Sequence, residues 1–279
     1  MKILYPLAKR FIAGHDFDSA KPKIDKLLSQ GYEVSVDYLG ELSTDKSDCD
    51  KATKQYIKII KYYKRKKIDI SIKPSQLGLL INPVVSYNNL DLIAKTAKQY
   101  GHTIRLDMED SRVTELTRNQ AISLNEKYGN VGVAIQANLF RTGKDLKILM
   151  DNNISVRLVK GAYKENEDIA CQDELDIGAN FFHYAATLYS NKTNKPAIAT
   201  HDEELLEDVE ELLPDPKYFD YEMLYGIRRD LQKSLLNKQY RVRIYIPFGE
   251  QWLPYTLRRL KEWKNLKFVI KNIFYEIFR

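Results

Sequence analysis

The sequence contains little cysteine, little histidine and no long apolar run. Its 279 residues include two cysteines, Cys49 and Cys171, which lie far apart and form no CxxC motif. This usage is typical of a reduced, cytoplasmic protein and argues against a disulfide-stabilised secreted fold or a zinc finger. No segment approaches the roughly 18–20 apolar residues of a membrane-spanning helix, and the first residues lack the apolar stretch of a secretory signal. The four histidines show no ligand spacing, so we expect no metal site.

The chain also lacks a strong charge imbalance. Its 44 Lys and Arg residues exceed 38 Asp and Glu residues by a net charge of +6. The densest basic run is KIIKYYKRKK, at 58–67. Its apolar residues precede the cations, as at a helix C-terminus where positive charge complements the helix dipole. We interpret the run as a solvated helix end, with contact to anionic lipid or RNA as the alternative.

What the sequence does contain is a repeated alternation of short and long segments. The short ones are rich in Val, Ile and Tyr and are bounded by Gly, Pro, Asn or Asp, which is typical of buried strands. They number eight: 32–40, 68–73, 103–109, 130–137, 155–163, 196–202, 218–224 and 240–249. Helical periodicity fills the intervening segments at 48–65, 90–101, 113–128, 145–152, 174–191 and 202–216.

This alternation predicts parallel strands joined by right-handed helical crossovers. Eight units without a linker or low-complexity segment favour one (βα)8 barrel domain over residues 1–279. A short helix at about 19–30 precedes the first strand, and we expect it to close the bottom of the barrel. A doubly wound open sheet is the alternative, but no GxGxxG motif follows any strand.

Polar side chains stand at or near the predicted C-terminal end of seven of the eight strands. Barrel enzymes place their chemistry at this rim, and core packing alone does not require such residues there. The seven positions are Lys73, Asp107, Gln136, the segment from Arg157 to Tyr163, Thr200 with His201 and Asp202, Glu222, and Tyr245.

Several of these residues admit a structural explanation as well as a functional one. Lys73 before a proline could be a loop lysine, and His201 could be a capping histidine. Arg157 lies between Val156 and Leu158, so it faces the opposite side of its strand, where an arginine needs an anion or another electron-rich acceptor. Gln136 is an amide within an apolar run and needs partners that a ligand would supply.

The last predicted strand leads into the segment PFGEQWLPYTLRRLKEW, at 247–263. This segment predicts a turn and an aromatic-rich helix with adjacent Arg258 and Arg259. Neighbouring side chains diverge on a helix, so two solvated arginines are the simpler interpretation. The functional interpretation is that both guanidinium groups bind one small carboxylate.

Taken together, these segments resemble the proline dehydrogenase family. The matching stretches run in the family's order over nearly the whole chain, and VRLVKGAY and the Tyr-x-Pro-x-Gly…Arg-Arg pattern are the most specific. They are FIAGHDFDSA (11–20), VDYLGE (36–41), SIKPSQLGL (71–79), LDMED (106–110), VAIQANL (133–139), VRLVKGAY (156–163), ATHD (199–202), YEMLYGIR (221–228) and RIYIPFGEQWLPYTLRRL (243–260).

The resemblance implies a short, monofunctional bacterial flavoenzyme: a distorted (βα)8 barrel with FAD across the strand ends and the last helix over its top. It implies catalytic roles at the reacting centre for Asp107 and Arg157. It implies contacts with L-proline for Lys73, Tyr163, Tyr245, Arg258 and Arg259. It implies contacts with FAD for Met108, Gln136, Arg157, Lys160, Gly161, Ala162, Thr200 and His201.

The activity so implied is the oxidation of L-proline to 1-pyrroline-5-carboxylate, with hydride transfer to flavin N5. Electrons would then pass to a quinone-type acceptor, through at most peripheral membrane contact. A separate 1-pyrroline-5-carboxylate dehydrogenase would be a metabolic partner, and no nucleic acid is expected. Family members often have Gln where Glu222 stands and Tyr where Asn138 stands. We expect both departures to lie off the reacting face, with Glu222 at the floor of the pocket.

Two other functions fit parts of the sequence. A different flavin- or phosphate-binding barrel could oxidise another cyclic amine, although the presence of Tyr245 and the arginine pair argues against it. A basic module that binds nucleic acid through 58–67 predicts salt-sensitive RNA binding and a colourless protein.

Overall fold

The computed structural model describes residues 8–262, and the side chains of residues 8–259. Its strands are β1 (Glu33–Tyr38), β2 (Asp69–Ile72), β3 (Thr103–Leu106), β4 (Val131–Gln136), β5 (Ser155–Val159), β6 (Ala197–Ala199), β7 (Asp220–Leu224) and β8 (Arg241–Phe248). Its helices are α1 (Phe17–Ser29), α2 (Lys46–Tyr62), α3 (Pro83–Gln99), α4 (Thr114–Tyr128), α5 (Thr142–Asp151), α6 (Glu174–Ser190), α7 (Glu203–Leu212), α8 (Arg229–Asn237) and α9 (Trp252–Glu262). Two 3₁₀ turns lie at Pro74–Leu77 and Pro216–Tyr218.

The strands form a closed barrel in chain order, and each pairs in parallel with the next. Closure comes from β1 pairing in parallel with β8, from Glu33 opposite Arg243 to Tyr38 opposite Phe248. The predicted (βα)8 barrel is therefore confirmed, and the doubly wound alternative is wrong. None of the helices within residues 8–262 is long and apolar enough to cross a membrane.

Alternation along each strand separates an aliphatic outer face from a polar interior. Outward residues such as Val34, Ile70 and Ile244 are buried in one apolar core with the inner faces of the helices. Inward residues such as Ser35, Asp69 and Arg157 contact one another across the barrel. The hydrophobic core therefore lies between barrel and helices, which leaves the barrel interior for charged side chains.

The N-terminal helix does not close the bottom of the barrel, so that prediction is wrong. α1 begins with Phe17, whose ring lies 5.8 Å from that of Phe248 at the C-terminal end of β8. Its buried residues Ala20 and Ile24 belong to the core around the strands. α1 thus packs alongside β1 and β8, in the outer layer of the barrel, where it buries an apolar face that a cap across the bottom would leave partly exposed.

The last helix packs over the C-terminal end of the barrel, as predicted. Tyr255 of α9 is buried in a small apolar cluster with Leu39, which follows β1, and Ile227, which follows β7. α8 is not among the helices predicted from the sequence. Its N-terminal neighbour Arg228 has a left-handed backbone, with φ of 48°.

The basic run at 58–67 lies at the end of α2 and in the loop after it. Ile59, Ile60 and Tyr63 are buried, Lys58 lies over the ring of Phe17, and Lys66 pairs with Asp25 at 2.7 Å. Part of this basic run therefore holds α1 against α2.

Candidate active site

A cavity of about 1030 Å³ opens at the C-terminal ends of the strands, beneath α9. Every site residue proposed from the sequence lines it. These residues are Lys73, Asp107, Met108, Gln136, Arg157, Lys160, Gly161, Ala162, Tyr163, Thr200, His201, Tyr245, Arg258 and Arg259.

Seven of the eight strands end earlier than the sequence predicts, and this positions the site. β2, β3, β5 and β6 each stop directly before a lining residue, respectively Lys73, Asp107, Lys160 and Thr200. Parallel strands in one barrel end at the same rim, so residues far apart in sequence converge there.

Arg157 is the centre of the charged network at the floor of the cavity. Its side chain is nearly fully buried and donates hydrogen bonds to Asp107 and, at 2.8 Å, to Glu222. It also donates to Ser71 at 2.7 Å and Ser35 at 3.1 Å. Burial alone would lower the pKa of this guanidinium, but attraction by Glu222 and Asp107 raises it, so Arg157 is a fixed cation.

Asp107 and Lys73 lie beside Arg157 and share a second set of partners. The Tyr245 hydroxyl donates to Asp107 at 2.7 Å, and its ring lies 5.4 Å from the Arg157 guanidinium carbon. Lys73 Nζ lies 3.4 Å from Asp37 and 3.8 Å from Asp107. Burial alone would lower the pKa of Lys73, but attraction by these two carboxylates raises it above its usual range.

His201 and Gln136 also line the cavity and are oriented by backbone groups. The Leu224 amide donates to His201 Nε2 at 2.9 Å, which leaves Nδ1 as the donor of the neutral ring. Burial, with repulsion from Arg259 and Arg228, lowers the pKa of His201 to about 3. Gln136 Nε2 donates to the Glu109 carbonyl at 3.1 Å, and its Oε1 accepts from the Ala162 amide at 3.4 Å.

The turn after β5 requires glycine. Gly161 has φ of 127°, a conformation that side chains disfavour, and an added Cβ would collide with the side chain of Asn138. Next to it, Lys160 Nζ lies 2.6 Å from Asp202, across the mouth of the cavity. Asn138 itself does not belong to the cavity lining, as expected for this departure from the family pattern.

α9 contributes its two arginines from above. Arg258 pairs with Glu41, which follows β1, and Arg259 lies over the ring of Tyr255 at 5.3 Å. Tyr163 is mostly buried beneath them, and burial raises the pKa of its phenol above the usual range. The two arginines therefore point toward the same cavity despite being neighbours on a helix.

Sequence reasoning missed three residues of the site. Asp37, Glu41 and Arg228 contact or line the site but were assigned no role. For Asp37, the signal was its position in the alternation of β1: Val34 and Val36 face outward, so Asp37 faces the inside of the barrel. Glu222, expected at the floor of the pocket, lies there and binds Arg157.

Within residues 8–259 no group of His, Cys, Asp and Glu side chains is arranged to hold a metal ion. The charged side chains at the floor of the site form one cluster of alternating cations and carboxylates. A (βα)8 barrel with such a cluster in a cavity at its C-terminal rim belongs to the class of barrel enzymes.

Comparison with known proteins identifies the particular family. The model of the proline dehydrogenase family matches residues 20–271, and the chain belongs to this family. Proline dehydrogenase 2 of Bacillus subtilis is 34% identical over 95% of this chain and 90% of its own length. The proline dehydrogenase of Deinococcus radiodurans is 34% identical over 97% of this chain and 91% of its own length.

A solved structure has the same fold. The crystal structure of proline utilization A from Bdellovibrio bacteriovorus matches with a TM-score of 0.85 and 24% identity. The match covers 93% of this chain, which spans only 33% of that protein.

Proposed function

We propose that this chain is an FAD-dependent proline dehydrogenase that oxidises L-proline to 1-pyrroline-5-carboxylate. The observation that carries the proposal is the cluster of Lys73, Asp107, Arg157 and Tyr245 at the floor of the cavity, with Arg258 and Arg259 above it. Membership of the proline dehydrogenase family supports the same assignment.

The cations and aromatic rings suit a small cyclic amino acid. Lys73, Arg258 and Arg259 would bind the carboxylate, because charge-assisted contacts in an enclosed site are stronger than in water. Tyr163 and Tyr245 would enclose the ring. A hydroxyl on the ring would crowd Tyr245, so we expect proline to be preferred over hydroxyproline.

The rest of the cavity lining, away from Lys73, Arg258 and Arg259, fits FAD. The cavity volume of about 1030 Å³ is at the upper end of the range of ~300–1,000 Å³ for small-molecule sites. The glycine turn at Gly161 and the Nδ1 donor of His201 supply a close backbone approach and a hydrogen bond. The proposed FAD contacts are Met108, Gln136, Arg157, Lys160, Gly161, Ala162, Thr200 and His201.

When bound, FAD would supply the two-electron oxidation by accepting a hydride from the ring carbon next to nitrogen. The residues of the chain bind and orient the substrate for this step. Asp107 accepts hydrogen bonds from Arg157 and Tyr245 and lies near Lys73, so its oxygen atoms are already engaged. We therefore assign it an orienting role, in which it fixes Lys73 and the unprotonated substrate amine, and Arg157 offsets its charge.

The partners follow from the proposed chemistry. Two electrons must leave the reduced enzyme, and a quinone-type acceptor reached by peripheral membrane contact would take them. The product needs a second oxidation to become glutamate, which a separate 1-pyrroline-5-carboxylate dehydrogenase would perform.

The test is the visible spectrum of the purified protein incubated with FAD, before and after anaerobic addition of L-proline. We expect a yellow protein whose absorbance L-proline bleaches and hydroxyproline hardly changes. Lys73→Met should raise the half-bleaching concentration of proline about ten-fold, since a hydrogen bond to a charged group contributes about 1.5–3 kcal/mol. Lys51→Met, at an exposed ion pair with Asp48, is the control and should behave as wild type.

Two results would contradict the proposal in different ways. A yellow protein that proline leaves oxidised would exclude the substrate but keep the cofactor. A protein that stays colourless after incubation with FAD would contradict the cofactor contacts as a group.

A further inference from the structure

The loop between β1 and α2 contains a strained residue beside the cavity. Leu42 has φ of 55°, a left-handed backbone conformation that costs free energy for a residue other than glycine. It directly follows Glu41, the carboxylate that pairs with Arg258. Such strain persists only where neighbouring groups hold it in place.

The groups that hold the loop belong to the 3₁₀ turn Pro74–Leu77. Ser75 Oγ accepts a hydrogen bond from the Leu42 amide at 2.9 Å, and the Ser75 carbonyl accepts from the Ser43 amide at 3.2 Å. On the other side of Glu41, Gln76 Nε2 donates to the Tyr38 carbonyl at 3.0 Å. The backbone on each side of Glu41 is therefore bonded to this turn.

Ser75 is itself fixed by a buried carboxylate. Glu109 accepts from the Ser75 amide at 2.9 Å and from the Ser75 hydroxyl. Both side chains are almost fully buried. Because the Ser75 hydroxyl donates its hydrogen bond to Glu109, its oxygen has a lone pair available to accept from the Leu42 amide. We call the bonded pair Ser75 and Glu109 the clamp. Glu109 lies two residues after Asp107, so the clamp is connected to the loop that carries Asp107.

We propose that Ser75 and Glu109 are positioning residues for substrate binding: they hold the strained β1–α2 loop so that Glu41 fixes Arg258 over the cavity. This inference rests on the proposed function, in which Arg258 binds the proline carboxylate. Neither residue lines the cavity itself, and both act through Leu42 and Glu41.

The physical consequence of losing the clamp is a less ordered carboxylate site. Without the bond from Ser75, Leu42 can relax toward negative φ, and this rotation moves the preceding Glu41 away from Arg258. An arginine side chain without a fixed partner samples many rotamers and loses entropy again when it binds substrate. Substrate affinity should therefore fall, while the arrangement of Asp107, Arg157 and Tyr245 at the cavity floor is unchanged.

The test is a double-mutant cycle on the FAD-loaded enzyme. Ser75→Ala should raise the KM for L-proline about five-fold and change kcat less than about two-fold, the size expected for one net hydrogen bond. In the Glu41→Gln background, which removes the charge on which the clamp acts, Ser75→Ala should change KM less than about two-fold.

The matched control is Ser86→Ala. Ser86 is equally buried and bonds the Pro74 carbonyl from the other side of the same turn, but it has no bond to the β1–α2 loop. Its removal should leave KM unchanged. Ser75→Cys keeps a polar atom at this position in a slightly larger side chain that forms weaker hydrogen bonds, and it replaces Ser75→Ala if that variant does not fold; it should also raise KM.

An equal effect of Ser75→Ala in both backgrounds, or the same effect from Ser86→Ala, would overturn the proposal, because the role would then be purely structural. A wild type that does not oxidise proline would contradict the proposed function instead. The clamp is then tested by unfolding free energies, in which Ser75→Ala and Leu42→Gly should be non-additive, because glycine at position 42 removes the backbone strain that the Ser75 hydrogen bond holds in place; additivity would overturn it.

Discussion

Each buried cation at the cavity floor contacts at least two carboxylates. Arg157 binds Asp107 and Glu222, and Lys73 lies near Asp107 and Asp37. This pairing makes burial of the charges tolerable, since an unpaired buried charge is strongly destabilising. Under the proposed function, a substrate carboxylate would compete with Asp37 and Asp107 for Lys73.

His201 gives a prediction about the pH dependence of stability. Its pKa is lowered from 6.5 to about 3, so below pH 6.5 His201 binds a proton in the unfolded chain but not in the folded protein. Its contribution to stability is therefore present above pH 6.5 and is lost as the pH falls toward 3. His201→Gln should flatten the decline in unfolding free energy below pH 6.5, by at most about 1.4 kcal/mol per pH unit.

The measurement is denaturant unfolding of both proteins at a series of pH values. His183→Gln is the control, because this histidine is exposed on α6 and its replacement should leave the slope unchanged. Parallel curves for His201→Gln and wild type would show that the ring is not held neutral in the folded protein.

At the scale of elements, α1 takes the place in the outer layer between β8 and β1. The chain after β8 crosses over the top of the barrel as α9, so the helix before β1 covers this side. Phe17 is the main contact, with its ring against those of Tyr62, Tyr63 and Phe248. Contacts of Lys21 and Lys58 with the same ring add to this packing.

Phe17→Ala should therefore lower the free energy of unfolding by about 3–5 kcal/mol, as expected when a buried phenylalanine is truncated. Circular dichroism during urea unfolding measures this. Leu175→Ala on α6 is the control, because Leu175 is 84% exposed and should have almost no effect. A loss at Phe17 below about 1 kcal/mol would mean that the barrel does not need α1 as part of its outer layer.

At the scale of the whole molecule, local pattern was enough to predict the barrel and the rim that carries the site. Strand alternation and the polar residues at strand ends are local signals, and they located Lys73, Asp107 and Arg157 together. The pairs Asp37–Lys73 and Glu41–Arg258 were not predictable, because which carboxylate meets which cation depends on the closed geometry. The predicted position of α1 was wrong for the same reason: its sequence specifies an amphipathic helix but not where this helix packs in the fold.

The barrel interior is held together by charge rather than by aliphatic packing. Below Arg157, Asp69 lies 3.6 Å from Arg105 and 3.9 Å from Arg157, and it accepts hydrogen bonds from Ser35 and Thr103. Burial alone would raise the pKa of Asp69, but the surrounding arginines lower it below 3.8. An interior of this kind orients the side chains of the site from below by hydrogen bonds with fixed directions.

Asp69→Asn tests this view, because the amide keeps the shape of the side chain but removes the charge that Arg105 and Arg157 face. We expect it to lower the unfolding free energy at pH 7 by about 3 kcal/mol, since breaking a buried ion pair leaves uncompensated charge. The lowered pKa means that the ionised Asp69 stabilises the fold above pH 3.8 and loses this effect as the pH falls through its folded value. The difference between wild type and variant should therefore shrink below pH 3.8.

Asp48→Asn separates this effect from a general loss of negative charge. Asp48 pairs with Lys51 on the surface of α2, where solvent screens the interaction, so its variant should unfold like the wild type at every pH. If Asp69→Asn also left the unfolding free energy unchanged, Arg105 and Arg157 would not depend on the charge of Asp69. The strand ends alone would then orient the site. In that case Arg157 would tolerate changes at the bottom of the barrel, whereas its contact with Asp69 leads us to expect that it does not.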